Sequence, residues 1–189
     1  MLTIQRVKET YRRLRYYPEE MLWAQIWKDT KTDIGWLQNL PGISPGRWAV
    51  GYNYLYVMTR VLNEMEPHSV LDLGLGISST LISSYFDYYK YQDAMHTVIE
   101  RDENWIRFYM KKHSLSPVSE IVHCEYEDAS MHGKTYLSYK DFQQKLAEKK
   151  YSVISIDAPE GSPRYSRRDI VPLLPDILEN SFVIIMDDA

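Results

Sequence analysis

The sequence predicts an α/β fold in which a parallel β-sheet is covered by helices on both faces. From residue 69 onward, short apolar runs typical of strands alternate with amphipathic stretches typical of helices. The strands are nearly all apolar, which is the pattern of strands buried on both faces. A chain of 189 residues is long enough to build one such domain around a single core.

The N-terminal region is predicted to be a helical extension, residues 1–47, that precedes the α/β domain, residues 48–189. Its first helix has one apolar face and should end at Pro18. Met21 to Trp27 should form a second amphipathic segment, and Asn39 to Trp48 a loop rich in proline and glycine. The apolar face of the first helix consists of Ile4, Val7, Tyr11 and Leu14.

The α/β domain should begin with a helix over Ala49–Asn63 and then alternate strands with helices in a sheet of order 3-2-1-4-5. The five strands are expected at Val70–Leu73, His96–Glu100, Glu120–Cys124, Tyr151–Ile156 and Phe182–Met186. The intervening helices are expected at Leu81–Tyr89 and Asn104–Lys112, with a third through Lys149 after a capping-box-like Ser138-x-x-Asp141. Between the last two strands, Pro172 and Pro175 should break any helix into short pieces.

Composition limits the function classes. The chain has 22 basic and 26 acidic residues with no concentrated basic tract, so phosphate-driven nucleic-acid binding is not expected. Its single cysteine, Cys124, excludes an intramolecular disulfide and is expected to be buried and inert. No signal peptide and no apolar stretch of roughly 18 residues is present, so we expect a cytoplasmic protein without membrane partners.

The most informative segment is the turn after the first strand, from Ser69 to Thr80. Gly74 and Gly76 end the strand, and Ser78 and Ser79 open a helix, which places bare backbone N–H groups at the carboxyl end of the sheet. Open α/β sheets bind nucleotide-like ligands there, and Asp72 should lie at the same strand tip. A tight turn without a ligand is the alternative. A dinucleotide motif would need a third glycine where Ser79 stands.

Acidic residues end three later strands. Glu100 closes the second strand, Asp157 the fourth, and Asp187 with Asp188 the fifth. Because the ends of parallel strands share one edge, these carboxylates should converge on the glycine turn, although each alone fits a solvated loop acid. Asp157, Asp187 and Asp188 would supply oxygen ligands for Mg²⁺ or another divalent cation.

The run Asp-x-Gly-x-Gly-x-Ser at 72–78 and onward resembles the first motif of class I S-adenosylmethionine-dependent methyltransferases, which have a Rossmann-like fold. The resemblance implies that the loop wraps the methionine part of the cofactor and that Glu100 holds the ribose hydroxyls. Trp105 would edge the adenine, or else be a core aromatic. Asp102 is expected to be the N-cap of the following helix.

Two kinds of O-methyltransferase share further features with residues Trp48 to Ala189. The metal-dependent catechol type ends its fourth strand in Asp and its fifth in Asp-Asn, where this sequence has Asp188 for the Asn. Asp-Ala-Pro-x-Gly at 157–161 and the Trp48–Gly51 lead-in are similar to the glucuronoxylan type. Compared with these families the sequence stops after the fifth strand, so we expect the last helix and two strands of the fold to be missing from it.

The resulting hypothesis is an S-adenosylmethionine-dependent O-methyltransferase that acts on a small hydroxylated or saccharide acceptor. A metal held by Asp157 and its neighbours would lower the pKa of the acceptor hydroxyl, and Glu160 is the nearest candidate base. The alternatives are a nicotinamide-dependent or nucleotide-sugar enzyme on a similar sheet, and a non-catalytic Rossmann-like interaction module.

Weaker candidates complete the prediction. Arg164, Arg167 and Arg168 would bind a uronate or phosphate on the acceptor, or form a solvated basic loop. His132 is a candidate base, or simply an exposed loop histidine. The free edge of the fifth strand should be covered by the segment Ile4 to Trp27 or by a second subunit in a homodimer.

Overall fold

The computed structural model describes residues 4–40, 42–43, 50–146, 148–158 and 167–187. The strands are β1 (Ser69–Leu73), β2 (Met95–Glu100), β3 (Ser119–His123), β4 (Tyr126–Met131), β5 (Lys134–Tyr139), β6 (Tyr151–Ile156) and β7 (Leu178–Met186). The helices are α1 (Ile4–Asp33), α2 (Tyr52–Met65), α3 (Ile77–Tyr89), α4 (Glu103–Met110) and α5 (Phe142–Lys145), with 3₁₀ turns at Gly35–Asn39 and Val171–Leu173.

Five strands form one parallel sheet in the order β3-β2-β1-β6-β7. This confirms the predicted order 3-2-1-4-5, because β6 and β7 are the fourth and fifth strands of the prediction. All five carboxyl ends therefore lie along one edge of the sheet, which we call the carboxyl edge.

Helices cover both faces of the inner strands. On one face, Val70 and Val153 pack against a cluster from α2 and α3 that includes Leu55, Met58 and Tyr85. On the other face, the alternate strand residues pack against α5 and the segment that precedes β7. Every residue of β6 is buried, and so is every residue of β1. The prediction that apolar strands are buried on both faces is therefore confirmed for β1 and β6.

The prediction that Pro18 ends the first helix is wrong, because α1 continues to Asp33 with Pro18 inside it. Pro18 is exposed, so water can satisfy the carbonyl that loses its backbone donor. Tertiary contacts also stabilise the helix beyond this point. The Glu20 carboxylate accepts a hydrogen bond of 2.8 Å from the backbone N–H of Tyr52, and Trp23 packs against Tyr56.

The predicted helix from Ser138 to Lys149 is also wrong. Residues 126–139 form the antiparallel hairpin β4–β5, and within the described part of the predicted span only the single turn α5 is helical. The hairpin turn is His132–Gly133, in which both residues have positive φ (51° and 71°), as a two-residue turn between twisted strands requires. Asp141 makes no side-chain cap, so the capping-box interpretation fails as well.

The outer strand β7 differs from the inner strands. It is longer than predicted and starts at Leu178, and among the described residues it is an edge of the sheet. Phe182 and Met186 remain 47% and 40% exposed. In the described part of the chain α1 packs against α2 and the 3₁₀ turn Gly35–Asn39, so the predicted cover of the β7 edge, by the N-terminal segment or by a second subunit, stays a prediction. Within the described residues, no helix is both long and apolar enough for a membrane span.

Candidate functional site

The turn between β1 and α3 is tight because its first glycine is conformationally required. Gly74 has φ of +107°, and a Cβ at this position would lie 3.2 Å from the Cβ of Ala158. Its N–H donates to the carbonyl of Ile99 at 2.9 Å, which keeps the turn against β2. A Cβ on Gly76 would have no atom within 4 Å, so this glycine leaves the backbone open to a ligand.

Asp72 lies beneath the turn and is fully buried. Its carboxylate accepts hydrogen bonds from the hydroxyls of Ser155 (2.6 Å), Ser79 (2.5 Å) and Ser78 (3.1 Å). The Ser79 hydroxyl in turn accepts from the backbone N–H of Gly76. Burial raises the pKa of Asp72 to about 6, opposed by the three serines and assisted by the charge of Glu100. The structure thus places Asp72, Ser78 and Ser79 inside the turn, where they hold its shape.

Glu100 ends β2 beside the same turn. Its Oε2 accepts from the N–H of Leu75 at 3.1 Å, and its Oε1 accepts from the N–H groups of Arg101 and Asp102 at 2.7 and 2.8 Å. Because a carboxylate has about four acceptor positions, one remains for a ligand hydroxyl. Asp102 is the N-cap of α4 as predicted, accepting from the N–H groups of Asn104 and Trp105.

Two aromatic side chains of α4 hold the outer side of the turn. The indole N–H of Trp105 donates to the carbonyl of Leu75 at 2.7 Å, and the hydroxyl of Tyr109 donates to the carbonyl of Gly76 at 3.0 Å. Trp105 is 40% exposed and stacks on Phe108, so it is not a core residue. Tyr109 was not predicted as a site residue. In the sequence, its position one helical turn after Trp105 is the feature that indicates that both side chains face the turn.

Tyr54 of α2 is a second residue that the sequence did not reveal. It is buried, and its hydroxyl lies 2.8 Å from the Ser155 hydroxyl. Since the Ser155 proton is directed to Asp72, Tyr54 is the donor of this bond. Burial raises the pKa of Tyr54 well above its usual range, and the charge of Asp72 adds to the effect.

The β6–β7 end of the carboxyl edge contains Asp157, Asp187 and a guanidinium. Arg167 pairs with the Asp157 carboxylate at 3.2 Å and also donates to the backbone carbonyls of both strand ends. Among the described residues no group of three acidic, His or Cys side chains is arranged to hold a metal. Asp188 and Glu160, the third predicted ligand and the candidate base, lie outside the described residues.

The weaker candidates fall elsewhere. His132 is exposed at the tip of the β4–β5 hairpin. Cys124 is buried, and burial raises the pKa of its thiol, as expected for an inert cysteine. Arg167 is directed to the strand ends, whereas Arg168 is half-buried beside it. Arg164 lies outside the described residues.

Comparison with known proteins supports the fold. No family model matches the sequence, and a search of curated proteins gave no match. Among solved structures, the SAH-bound methyltransferase PaMTH1 of Podospora anserina superimposes with a TM-score of 0.52. The alignment covers 95% of this chain and 69% of that one, at 15% sequence identity. The likeness establishes that this chain has the Rossmann-like α/β fold found in that methyltransferase.

Proposed function

We propose that this protein is an S-adenosylmethionine-dependent methyltransferase. The observation that carries the proposal is the Gly74–Gly76 turn with Glu100 fixed against it by the N–H of Leu75. This arrangement offers backbone N–H groups beside an oriented carboxylate, which suits a ligand carrying a ribose. The fold shared with an SAH-bound methyltransferase supports the same conclusion.

The protein's task in such a reaction is orientation. The cofactor supplies a methyl group already activated by its sulfonium, so the chain must align an acceptor atom with it. Orientation of this kind contributes about 7–11 kcal/mol to lowering a barrier. The position of Asp157 directly after β6, with its carboxylate paired to Arg167, supports assigning this role to it.

We infer an oxygen acceptor on a small hydroxylated molecule or a saccharide, from the likeness of Asp157-Ala158-Pro159 and the following residues to O-methyltransferases. Glu160 is the proposed base within this segment. A cytoplasmic location and a homodimer remain predictions beside it.

Calorimetric titration with S-adenosylhomocysteine and with NAD separates the candidate functions. A methyltransferase should bind S-adenosylhomocysteine and not NAD, whereas a nicotinamide-dependent enzyme should show the reverse. A non-catalytic module should bind neither. Transfer of a labelled methyl group from S-adenosylmethionine to a panel of phenols, catechols and uronates would then identify the acceptor class.

Glu100→Ala should weaken S-adenosylhomocysteine binding by one to two orders of magnitude. The variant loses charge-assisted hydrogen bonds worth about 1.5–3 kcal/mol, and the turn loses its support at Leu75. Titration calorimetry measures the change. Glu103→Gln, an exposed acid in the first turn of α4, is the control and should bind normally. Unchanged affinity in Glu100→Ala would remove the ribose assignment.

A further inference from the structure

The position predicted for a divalent cation contains the guanidinium of Arg167. Its Nη1 donates to the carbonyl oxygens of Ile156, at 3.1 Å, and of Asp187. Its Nη2 donates to the carbonyl oxygen and to Oδ1 of Asp157, both at 3.2 Å. The Arg167 side chain is only 10% exposed and that of Asp157 24%. One side chain therefore connects the carboxyl ends of β6 and β7.

These contacts define what Arg167 can do. The two terminal nitrogens of a guanidinium carry four N–H groups, and all four are directed to the strand ends. The uronate or phosphate predicted for this loop would therefore have to compete with them. Arg167 also has φ of +61°, an unusual conformation for a side-chain-bearing residue, and its contacts with the strands compensate for it.

The same contacts conflict with a metal site. A divalent cation at Asp157 would use the carboxylate and carbonyl oxygens that Arg167 already engages. It would also lie beside a permanent positive charge in a poorly solvated place, where repulsion between cations is strong. The residues described here thus fit a guanidinium better than they fit Mg²⁺.

We propose that Arg167 is the resident cation of the carboxyl edge: it joins the ends of β6 and β7 and fixes the Asp157 carboxylate, and this place takes no divalent metal. Arg167 is then a positioning residue, acting through Asp157. The consequence for methyl transfer rests on the proposed function, whereas the consequence for metal binding does not.

Titration of the full chain with MgCl₂ and MnCl₂, without cofactor, tests the proposal directly. The expected result is no saturable binding at millimolar concentrations and the same melting temperature with metal or with EDTA. Saturable Mn²⁺ binding that is lost in Asp157→Asn would overturn the proposal. Because S-adenosylhomocysteine is absent from these titrations, their outcome is independent of the proposed function.

Variants of Arg167 test its positive role. Arg167→Gln should melt roughly 5–10 °C lower, because it leaves a largely buried carboxylate without its cation. The variant also removes the fixed positive charge that opposes a second cation beside Asp157, so it should acquire Mn²⁺ binding that the unmodified chain lacks. Arg168→Gln removes the same charge from the neighbouring residue and is the control.

Arg167→Lys separates the geometry of the guanidinium from its charge. A lysine ammonium has three donors at one point and cannot reproduce two parallel pairs of hydrogen bonds. The variant should therefore recover less than half of the lost melting temperature. Full recovery by lysine would contradict the proposed role of the Arg167 guanidinium. An Arg167→Gln protein with unchanged melting temperature and no Mn²⁺ binding would contradict it as well.

Discussion

The carboxyl edge has a first half, at the ends of β1 and β2, and a second half, at the ends of β6 and β7. The two halves hold their carboxylates in place by different means. At β1 and β2, the donors are hydroxyls and backbone N–H groups: Ser78, Ser79 and Ser155 donate to Asp72, and the N–H groups of Leu75, Arg101 and Asp102 donate to Glu100. At β6 and β7, the donor is Arg167, from a loop beyond the strand. Most donors of the first half belong to the glycine turn or directly follow the carboxylate they serve, whereas the second half depends on how a separate loop folds back.

Two buried aspartates, Asp72 and Asp169, allow the effect of their hydrogen-bond donors to be measured through the pH dependence of stability. Asp72, in the first half, has three hydroxyl donors, whereas no side chain of the described residues donates a hydrogen bond to either carboxyl oxygen of Asp169. Burial raises the pKa of Asp169 to about 7, and nearby backbone N–H groups oppose this only in part. Burial raises the pKa values of Tyr126 and Tyr139, and the charge of Asp169 adds a smaller contribution in the same direction.

Asp169→Asn and Asp72→Asn should therefore change the pH dependence of stability, the first more than the second. Both carboxyls have a pKa above the unfolded value near 4, so protonation stabilises the native state. That stability is present below about pH 4 and is lost as the pH rises through about 7 for Asp169 and about 6 for Asp72. The losses amount to about 4 and about 3 kcal/mol.

Denaturant unfolding between pH 4 and 8 measures these differences. Relative to the unmodified chain, each asparagine variant should lose less stability on going from acid to neutral pH. Greater flattening by Asp72→Asn than by Asp169→Asn would contradict the inference that the serine hydroxyls hold the pKa of Asp72 below that of Asp169.

The strand end and the glycine turn of the first half could be predicted because their signals are local. Gly74, Gly76 and Glu100 lie where an apolar strand ends, and a strand end together with a turn can be read from adjacent residues. The sheet order followed from the alternation of strands and helices. Tyr54 was missed because its contact with Ser155 depends on the packing of α2 and carries no local pattern.

The errors have a common physical origin in contacts that outweigh local preference. Pro18 lies within α1 because α1 packs on α2 through Glu20, which is remote in sequence from Tyr52. His132–Gly133 forms a hairpin turn, and that pairing excludes the helix suggested by Ser138 and Asp141. Arg167 contacts the ends of β6 and β7, which no local pattern in the sequence indicates and only the folded loop shows.

Alanine substitutions of Gly74 and Gly76 test separately the two glycines in the turn of the first half. Gly74→Ala should cost about 1–3 kcal/mol of stability, because alanine is strained at φ of +107° and its Cβ would press on Ala158 across to the second half. Gly76→Ala should cost less than about 1 kcal/mol, since its Cβ meets open space.

The effects on ligand binding should have the opposite order to those on stability. Gly76→Ala places a methyl group where the proposed cofactor approaches, so it should impair S-adenosylhomocysteine binding in a well-folded protein. Thermal unfolding and calorimetry on both variants decide this. If Gly76→Ala binds as the unmodified chain does, the ligand does not approach the turn at this point.

The smallest expected effect on stability concerns the outer strand of the second half. β7 is the edge of the sheet among the described residues, and it exposes Phe182 along an apolar run. Such an edge favours pairing with another chain, whereas a lysine on the edge opposes it. We therefore expect a concentration-dependent dimer by light scattering. Phe182→Lys should be monomeric, with its stability changed by no more than about 0.5 kcal/mol.

Val171→Lys is the matched control for this experiment, because Val171 is similarly exposed (48%) but lies in the 3₁₀ turn before β7. It should leave the dimer intact. If both lysine variants dissociate the dimer, pairing through the edge of β7 is not the contact. A monomer at every concentration would show that β7, unlike the buried strands β1 and β6, stays open to solvent in the free protein.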